Sequence, residues 1–350
     1  MENLKIKLTL ICLMMVLKLN AFGMNVGFNQ AWFNNDYAIQ YLDGHYDRNE
    51  VQRIMKLTQD SGAKSLRVWI FESSNFPMLE WVDGKIVRPR PDFIRNFLNT
   101  LQIAKEHKVK IYMTFFDAHT YRPDQLKRED LKKLRSLFQE AGSDHFLKKV
   151  IGPLLKSIHE AGLAEVINRI DICNEMDTVI NRLGFNHGWQ GARRMLCQWR
   201  SFIQAHPGFS ATPTTFSLRL HPLIIHPLNL LSDKGPMACA DFFDFHSYGD
   251  SGEIYRCDTL KKYSLLGKKE LVLGEFGQSF FNHRFDDDLQ IKNTMSYLRN
   301  AKRCGFTEAL AWRLSDVRPG VNKEARYSFE AYGKVRPAYG LIQEHNLSQP

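Results

Sequence analysis

Along the chain, short apolar runs alternate with longer stretches whose apolar residues recur at helical spacing. The runs occupy 25–29 (NVGFN), 65–71 (SLRVWIF), 109–116 (VKIYMTFF), 169–174 (RIDICN), 214–220 (TTFSLRL), 242–248 (FFDFHSY), 271–277 (LVLGEFG) and 309–314 (ALAWRL). Each has strand length and strand composition, and the intervals leave room for a helical crossover between successive runs. The intervening stretches carry their own start and stop signals. Asp47 with Glu50 reads as an N-terminal capping pair, and the amphipathic stretch it opens ends at Ser61-Gly62. Pro91-Asp92 opens FIRNFLNTLQIAKEH, and further helical patterns lie at 146–158, 189–202, 289–301 and 337–344. Eight strands alternating with helices, with no linker, low-complexity segment or charge shift, predict a single-domain α/β fold of the (β/α)8 TIM barrel type. A doubly wound open sheet would carry a glycine-rich first turn. Here the first strand runs instead into FNQAW.

Composition alters that picture little. At 350 residues the chain can bury a large core, and 44% hydrophobic with 24% charged residues is ordinary for a folded protein. A net charge of +9 would permit binding to nucleic acid. The cations are scattered through helical stretches such as 127–135, however, as on solvated faces, so no nucleic-acid partner is expected.

The N-terminus changes the picture more. MENLKIK is followed by the apolar run LTLICLMMVL and then KLNAFG, the layout of a secretory signal peptide with a small-x-small exit at Ala21-Phe22-Gly23. The run is too short for a permanent membrane span. The expectation is a leader over 1–23, a mature domain over 24–350, secretion or periplasmic export, and no stable membrane anchor. Five cysteines then remain: Cys173, Cys197, Cys239, Cys257 and Cys304. Their odd number and irregular spacing describe neither a disulfide framework nor a zinc site. One or two bridges fit an oxidising compartment, and several of the thiols read as small buried apolar groups.

In (β/α)8 barrels the chemistry sits at the C-terminal ends of the strands. There the second strand offers Arg67 and Trp69, and the third ends in Asp117 and His119. The fourth ends in Asn174-Glu175, the sixth in His246-Ser247-Tyr248, the seventh in Glu275 and the eighth in Trp312. Taken singly, each has an ordinary structural reading: a satisfied histidine, a helix-capping carboxylate, a core tryptophan. Together they converge on one rim. Glu175 and Glu275 face each other across the barrel mouth, and paired carboxylates across a sugar-sized gap are what glycosidic bond cleavage needs.

On those residues the chain resembles the retaining β-glycosidases built on (β/α)8 barrels, most of all glycoside hydrolase family 5, the cellulase and β-mannanase family. The resemblance spans essentially the whole mature chain. It implies that Glu175 is the acid/base and Glu275 the nucleophile. It further implies that Asn174 holds a sugar 2-hydroxyl, that Arg67 and Tyr248 orient Glu275 and keep it ionised, and that His119 and His246 line the scissile subsite. Trp312 would stack on the sugar, with Trp69 and Trp32 extending that platform. An acid/base must hold its proton near neutral pH, whereas the nucleophile must lose it. Met176 stands where the family often has proline after its Asn-Glu, and the charged stretch over 117–142 reads as a lid or a cleft wall.

Three alternatives share this sequence. A metal-dependent barrel hydrolase would place paired histidines after the first strand, which has none. The His221/His226 pair and His187 lie in loops, His221 and His226 each followed by proline, so no metal and no cofactor is expected. A sugar-binding barrel without turnover would not need both carboxylates. A transglycosylase would use the same pair with a sugar as acceptor. The expected partner is therefore a carbohydrate, namely β-1,4-linked gluco- or manno-configured poly- or oligosaccharides, acted on by a monomer. Arg67-Val68-Trp69 resembles the mannan-cleaving members.

Overall fold

The structure, a computed structural model, describes residues 23–33, 39–72, 76–117, 139–183, 188–219, 235–249, 251–266, 269–278, 286–315, 327–331 and 333–349. The leader, His119 and most of the charged stretch after the third run lie outside the described residues. The strands, in chain order, are β1 (Asn25–Asn29), β2 (Ser65–Trp69), β3 (Leu79–Val82), β4 (Lys85–Pro89), β5 (Lys110–Asp117), β6 (Ile167–Asn174) and β7 (Thr214–Thr215). They continue with β8 (Ser217–Arg219), β9 (Phe242–Tyr248), β10 (Glu270–Gly277), β11 (Glu308–Ala311), β12 (Glu330–Ala331) and β13 (Lys334–Val335).

Nine of these form one parallel sheet in the order β7-β6-β5-β2-β1-β11-β10-β9-β8. The two ends of that order are consecutive pieces of chain on either side of Phe216, so the sheet curls into an eight-fold (β/α)8 barrel whose fifth stave is split. Side chains cause the split. Asp171 on β6 accepts the Ser217 backbone N–H at 3.0 Å and the Ser217 hydroxyl at 2.8 Å. That donor is lost to the ladder, and pairing with β6 stops at Thr215. Pairing resumes from Ser217 on the other side, against β9.

The helices form where the pattern places them. In α1 (Arg48–Asp60) Asp47 caps the Asn49 and Glu50 amides at 2.9 and 3.2 Å. Glu50 turns to Arg53 instead of reaching back, so the capping pair is one-sided. Proline opens α2 (Pro91–Glu106). The helix expected over 146–158 is three pieces: α3 (Glu140–Phe146), a π-turn over Leu147–Ile151, and α4 (Gly152–Glu160). Then follow α5 (Met176–Leu183), α6 (Gly188–Gln204), α7 (Cys257–Leu266), α8 (Asp287–Cys304) and α9 (Pro337–Leu347). The β3–β4 hairpin was not anticipated. It turns on Asp83-Gly84, with φ of 48° and 71°, the positive pair that such a two-residue turn demands.

Among the described residues, the apolar side chains form three clusters. The largest lies between the sheet and the surrounding helices. Inside the barrel, Tyr112, Phe242, Val272 and Leu310 form a separate plug. At the C-terminal rim Ala31, Trp32, Trp69 and Trp312 pack with Tyr248 and Tyr327. The cysteines resolve further than their spacing foretold. Cys197 is bridged to Cys239 and Cys257 to Cys304, while among the described cysteines Cys173 is a buried free thiol.

Candidate active site

Above the apolar plug the barrel interior turns polar, and Arg67 organises it. Its side chain points inward from the middle of β2 and is wholly buried. Nη1 donates to Glu275 at 2.6 Å and to the Asn29 side-chain oxygen at 3.2 Å. Nη2 donates to Asp171 at 2.6 Å, Asn174 at 2.8 Å and the Ser217 hydroxyl at 3.3 Å. The guanidinium also lies over the Trp69 ring at 4.4 Å. A buried cation is tolerable only when its charge is met, and two carboxylates with three further acceptors engage both terminal nitrogens, leaving Nε without a partner.

Glu275, near the C-terminal end of β10, has both carboxylate oxygens engaged. Oε1 takes the Arg67 bond and Oε2 accepts from the Tyr248 hydroxyl at 2.5 Å. Burial raises its pKa. The His246 imidazole, the Arg67 guanidinium and the Tyr248 hydrogen bond pull the other way, and the nearby Glu175 carboxyl adds to the rise. Burial first, and the Glu275 carboxylate second, raise the Tyr248 hydroxyl well above its usual range, so it remains a donor.

Glu175 follows directly on β6 in a left-handed conformation, φ 51°. For a residue with a side chain this is uncommon and costs about 1–2 kcal/mol. Its backbone N–H bonds the Ser217 hydroxyl at 3.0 Å, and its carbonyl accepts from Thr178 and Val179 as α5 begins. The chain thus turns sharply from strand to helix at this residue. Asn174, just before it, is fixed from both sides. Its oxygen accepts from Arg67, and its amide donates to Asp117 at 2.7 Å.

An oxygen of Glu175, an oxygen of Glu275 and a ring nitrogen of His246 all lie within 4.8 Å of one another. His246 Nδ1 stands 3.4 Å from Glu175 Oε1 and 3.5 Å from Glu275 Oε2. A cation could be ligated at such spacing. Both Glu275 oxygens are already engaged, though, and the guanidinium beside them opposes a second positive charge. The donor set fits proton traffic between carboxyl groups better than metal binding.

Around the carboxylates stand the rim aromatics. Trp312 meets Trp69 edge to face at 5.4 Å and Trp32 at 6.0 Å. Trp32 donates its indole N–H to Glu72. Of the site residues read from the sequence, the structure brings together Arg67, Trp69, Asn174, Glu175, His246, Tyr248, Glu275 and Trp312. Asn29, Tyr112, Asp171, Ser217 and Asp244 were not foreseen, although all face the same interior. Their signal is a polar residue at alternate positions of otherwise apolar strands, as at Asp244 two before His246.

No protein-family model matches the chain, and no curated protein is similar to it in sequence. Solved structures are similar in fold. The β-mannanase of the blue mussel Mytilus edulis superposes with a TM-score of 0.62 at 17% identity, over 87% of this chain and 90% of that one. The exo-β-1,4-mannosidase Op5Man5 from an Opitutaceae bacterium gives 0.66 at 13% identity, over 93% and 59%. A GH5_18 protein of Streptomyces cattleya in complex with Manβ1-4GlcNAc gives 0.67 at 13% identity, over 93% and 80%. At such identities the likeness establishes the barrel fold.

Proposed function

We propose that the protein is a retaining β-glycosidase of the glycoside hydrolase family 5 type, acting on β-1,4-linked, manno-configured poly- or oligosaccharides. The observation that carries this reading is the pair Glu175 and Glu275, with oxygens within 4.8 Å and unequal surroundings. Retaining enzymes hold their carboxyl groups about 5–5.5 Å apart, against about 6.5–9.5 Å where a water must fit between. Glu275, held by Arg67 and Tyr248, attacks the anomeric carbon while Glu175 gives its proton to the departing glycosidic oxygen. The sugar is then an ester of Glu275. Water next gives a proton to the Glu175 carboxylate as its oxygen attacks the same carbon, which releases Glu275 and restores Glu175. Two inversions leave the configuration as it was.

Trp312 offers a sugar-stacking face, flanked by Trp69 and Trp32. Asn174 donates to Asp117, and its position beside Glu175 fits a contact to the sugar 2-hydroxyl. The manno-configured substrate rests on the printed activities of the fold neighbours. Export through the leader at 1–23 is part of the same proposal. Two disulfides support it, because such bridges persist in oxidising compartments. Among the described residues, no helix is long and apolar enough to cross a membrane.

The test is hydrolysis of soluble mannans, β-glucans and xylans by the mature chain, with the anomer of the first product read by proton NMR beside a Glu275→Ala control. Retained configuration, with release abolished in the control, is expected. An inverted product, or full activity in the control, would sink the mechanism.

A further inference from the structure

We propose that Asp244 is a positioning residue for the carboxylate pair: as a neutral carboxylic acid beneath His246 it donates its proton to Nε2 and fixes the imidazole with its hydrogen on Nδ1. The role assigned to it rests on the glycosidase reading of Glu175 and Glu275.

Asp244 and His246 stand two residues apart on β9, so both point into the barrel, and both are buried. Asp244 Oδ2 accepts from the Tyr112 hydroxyl at 2.5 Å. Its other oxygen, Oδ1, and His246 Nε2 are buried with no hydrogen-bond partner elsewhere, and they lie 3.6 Å apart. Two buried polar atoms so placed are satisfied by one shared proton and stranded without it. The remaining question is which residue supplies that proton.

The opposite side of the ring decides it. Nδ1 faces Glu175 at 3.4 Å and Glu275 at 3.5 Å. A neutral imidazole carries one hydrogen. Placed on Nε2, it would turn a bare lone pair toward the ionised Glu275 and draw the Glu175 proton onto the ring, away from the leaving oxygen. Placed on Nδ1, it faces acceptors, and Nε2 must then accept from Asp244.

The surroundings agree with this bookkeeping. Burial brings His246 down to about 4; the carboxylates of Glu275 and Asp171 oppose that fall, while Arg67 and Arg219 assist it. Burial lifts Asp244 to about 8, against Arg67 and the Tyr112 bond and with help from Asp171 and Glu275. The groups facing this pair therefore come from β2 (Arg67), β5 (Tyr112), β6 (Asp171) with Glu175 after it, β8 (Arg219) and β10 (Glu275). Gly274, also on β10, makes the fit steric as well, because a Cβ there would collide with the Asp244 carboxyl oxygens. The chain of donors then runs Tyr112 to Asp244, Asp244 to His246, and His246 to the two catalytic carboxyl groups.

The imidazole tautomer is directly observable. In the full mature chain labelled with 15N-histidine, two-bond proton–nitrogen correlation spectra would be recorded across pH, with His246→Gln assigning the signal. At about pH 6 the wild type should show His246 as the Nδ1–H tautomer, and it should switch to Nε2–H as Asp244 ionises near the value given above. Asp244→Asn, whose amide donates in place of the acid, should hold Nδ1–H at every pH at which the ring is neutral. It should also keep hydrolysis within about threefold of wild type, whereas Asp244→Leu should lose about tenfold or more. An Nε2–H tautomer in the wild type at about pH 6, or a pH-dependent switch that persists in Asp244→Asn, overturns the proposal. Hydrolysis that survives Glu275→Ala would instead overturn the glycosidase reading, and the spectra would still decide the protonation of Asp244.

Discussion

Arg67 shows what a single buried residue can hold together. Its guanidinium joins Glu275, Asp171, Asn174, Ser217 and Asn29, drawn from four neighbourhoods of the ring. Arg67→Met removes the cation and leaves two buried carboxylates uncompensated. We expect a loss of about 3–5 kcal/mol in urea-denaturation stability together with loss of hydrolysis. A loss below about 1 kcal/mol would show that the network does not depend on its cation. Asp177, two residues past Glu175, gives a pH prediction. Burial first, and the Glu175 charge second, push it up to about 7. With the folded value above the unfolded one, its contribution is fully present below the ordinary carboxylate pKa and is lost as pH rises through the folded value. Asp177→Asn keeps an oxygen for the Arg219 amide, which Asp177 accepts at 2.9 Å. The variant should therefore gain in Tm over wild type by a margin that grows between about pH 4 and about pH 7 and is level above that. A margin that stays flat across that range would contradict the assigned direction. Glu175, Glu275 and Tyr248 were legible from sequence because strand ends are legible. Asp171, Asp244 and Tyr112 were not, since they sit inside apolar runs where a lone polar residue reads as noise until the closed ring sets them face to face.

At the scale of elements, one serine links strand pairing to chemistry. The Ser217 hydroxyl donates to Asp171 at 2.8 Å and accepts the Glu175 backbone N–H at 3.0 Å. The bond that splits the fifth stave is thus joined to the one that holds the acid/base candidate in its left-handed turn. Ser217→Ala should cost about 1–3 kcal/mol, because it strands a buried donor and weakens a buried acceptor. If Glu175 then drifts, kcat should fall by about tenfold or more with KM little changed, since orientation and not substrate binding is disturbed. Steady-state kinetics on a soluble substrate separates these outcomes, and a change confined to KM would place Ser217 in binding. Sequence reading recovered the eight runs and took 214–220 as one strand; it had no means of seeing that Asp171 would claim an amide from the ladder. The β3–β4 hairpin is a different kind of miss. Asp83-Gly84 between alternating apolar residues is a strong turn signal, but its two short strands lack the crossover spacing that marks the barrel staves.

For the whole molecule, the barrel is a ring whose first and last strands pair directly, β1 with β11, while the split stave joins β6 to β9. Distant parts of the sequence must therefore meet before β1 and β11 each have both neighbours, whereas β2 and β5 gain theirs from consecutive stretches of chain. The two disulfides fall in one part of that ring. Cys197–Cys239 and Cys257–Cys304 close loops with sequence separations of 42 and 47, all within the later half of the chain. In the loop-entropy account each such bridge contributes about 4 kcal/mol by restricting the unfolded chain. Neither touches the carboxylate pair, so stability and catalysis can be tested apart. Replacing either pair by serines should lower urea-denaturation stability by about 4 kcal/mol while hydrolysis at room temperature persists. Removing both should approach the point at which the chain no longer folds at body temperature, because a marginally stable domain holds only about 5–15 kcal/mol. A loss of less than about 1 kcal/mol from either pair would mean that the bridges follow the fold without supporting it, and would weaken the argument that they mark an oxidising compartment.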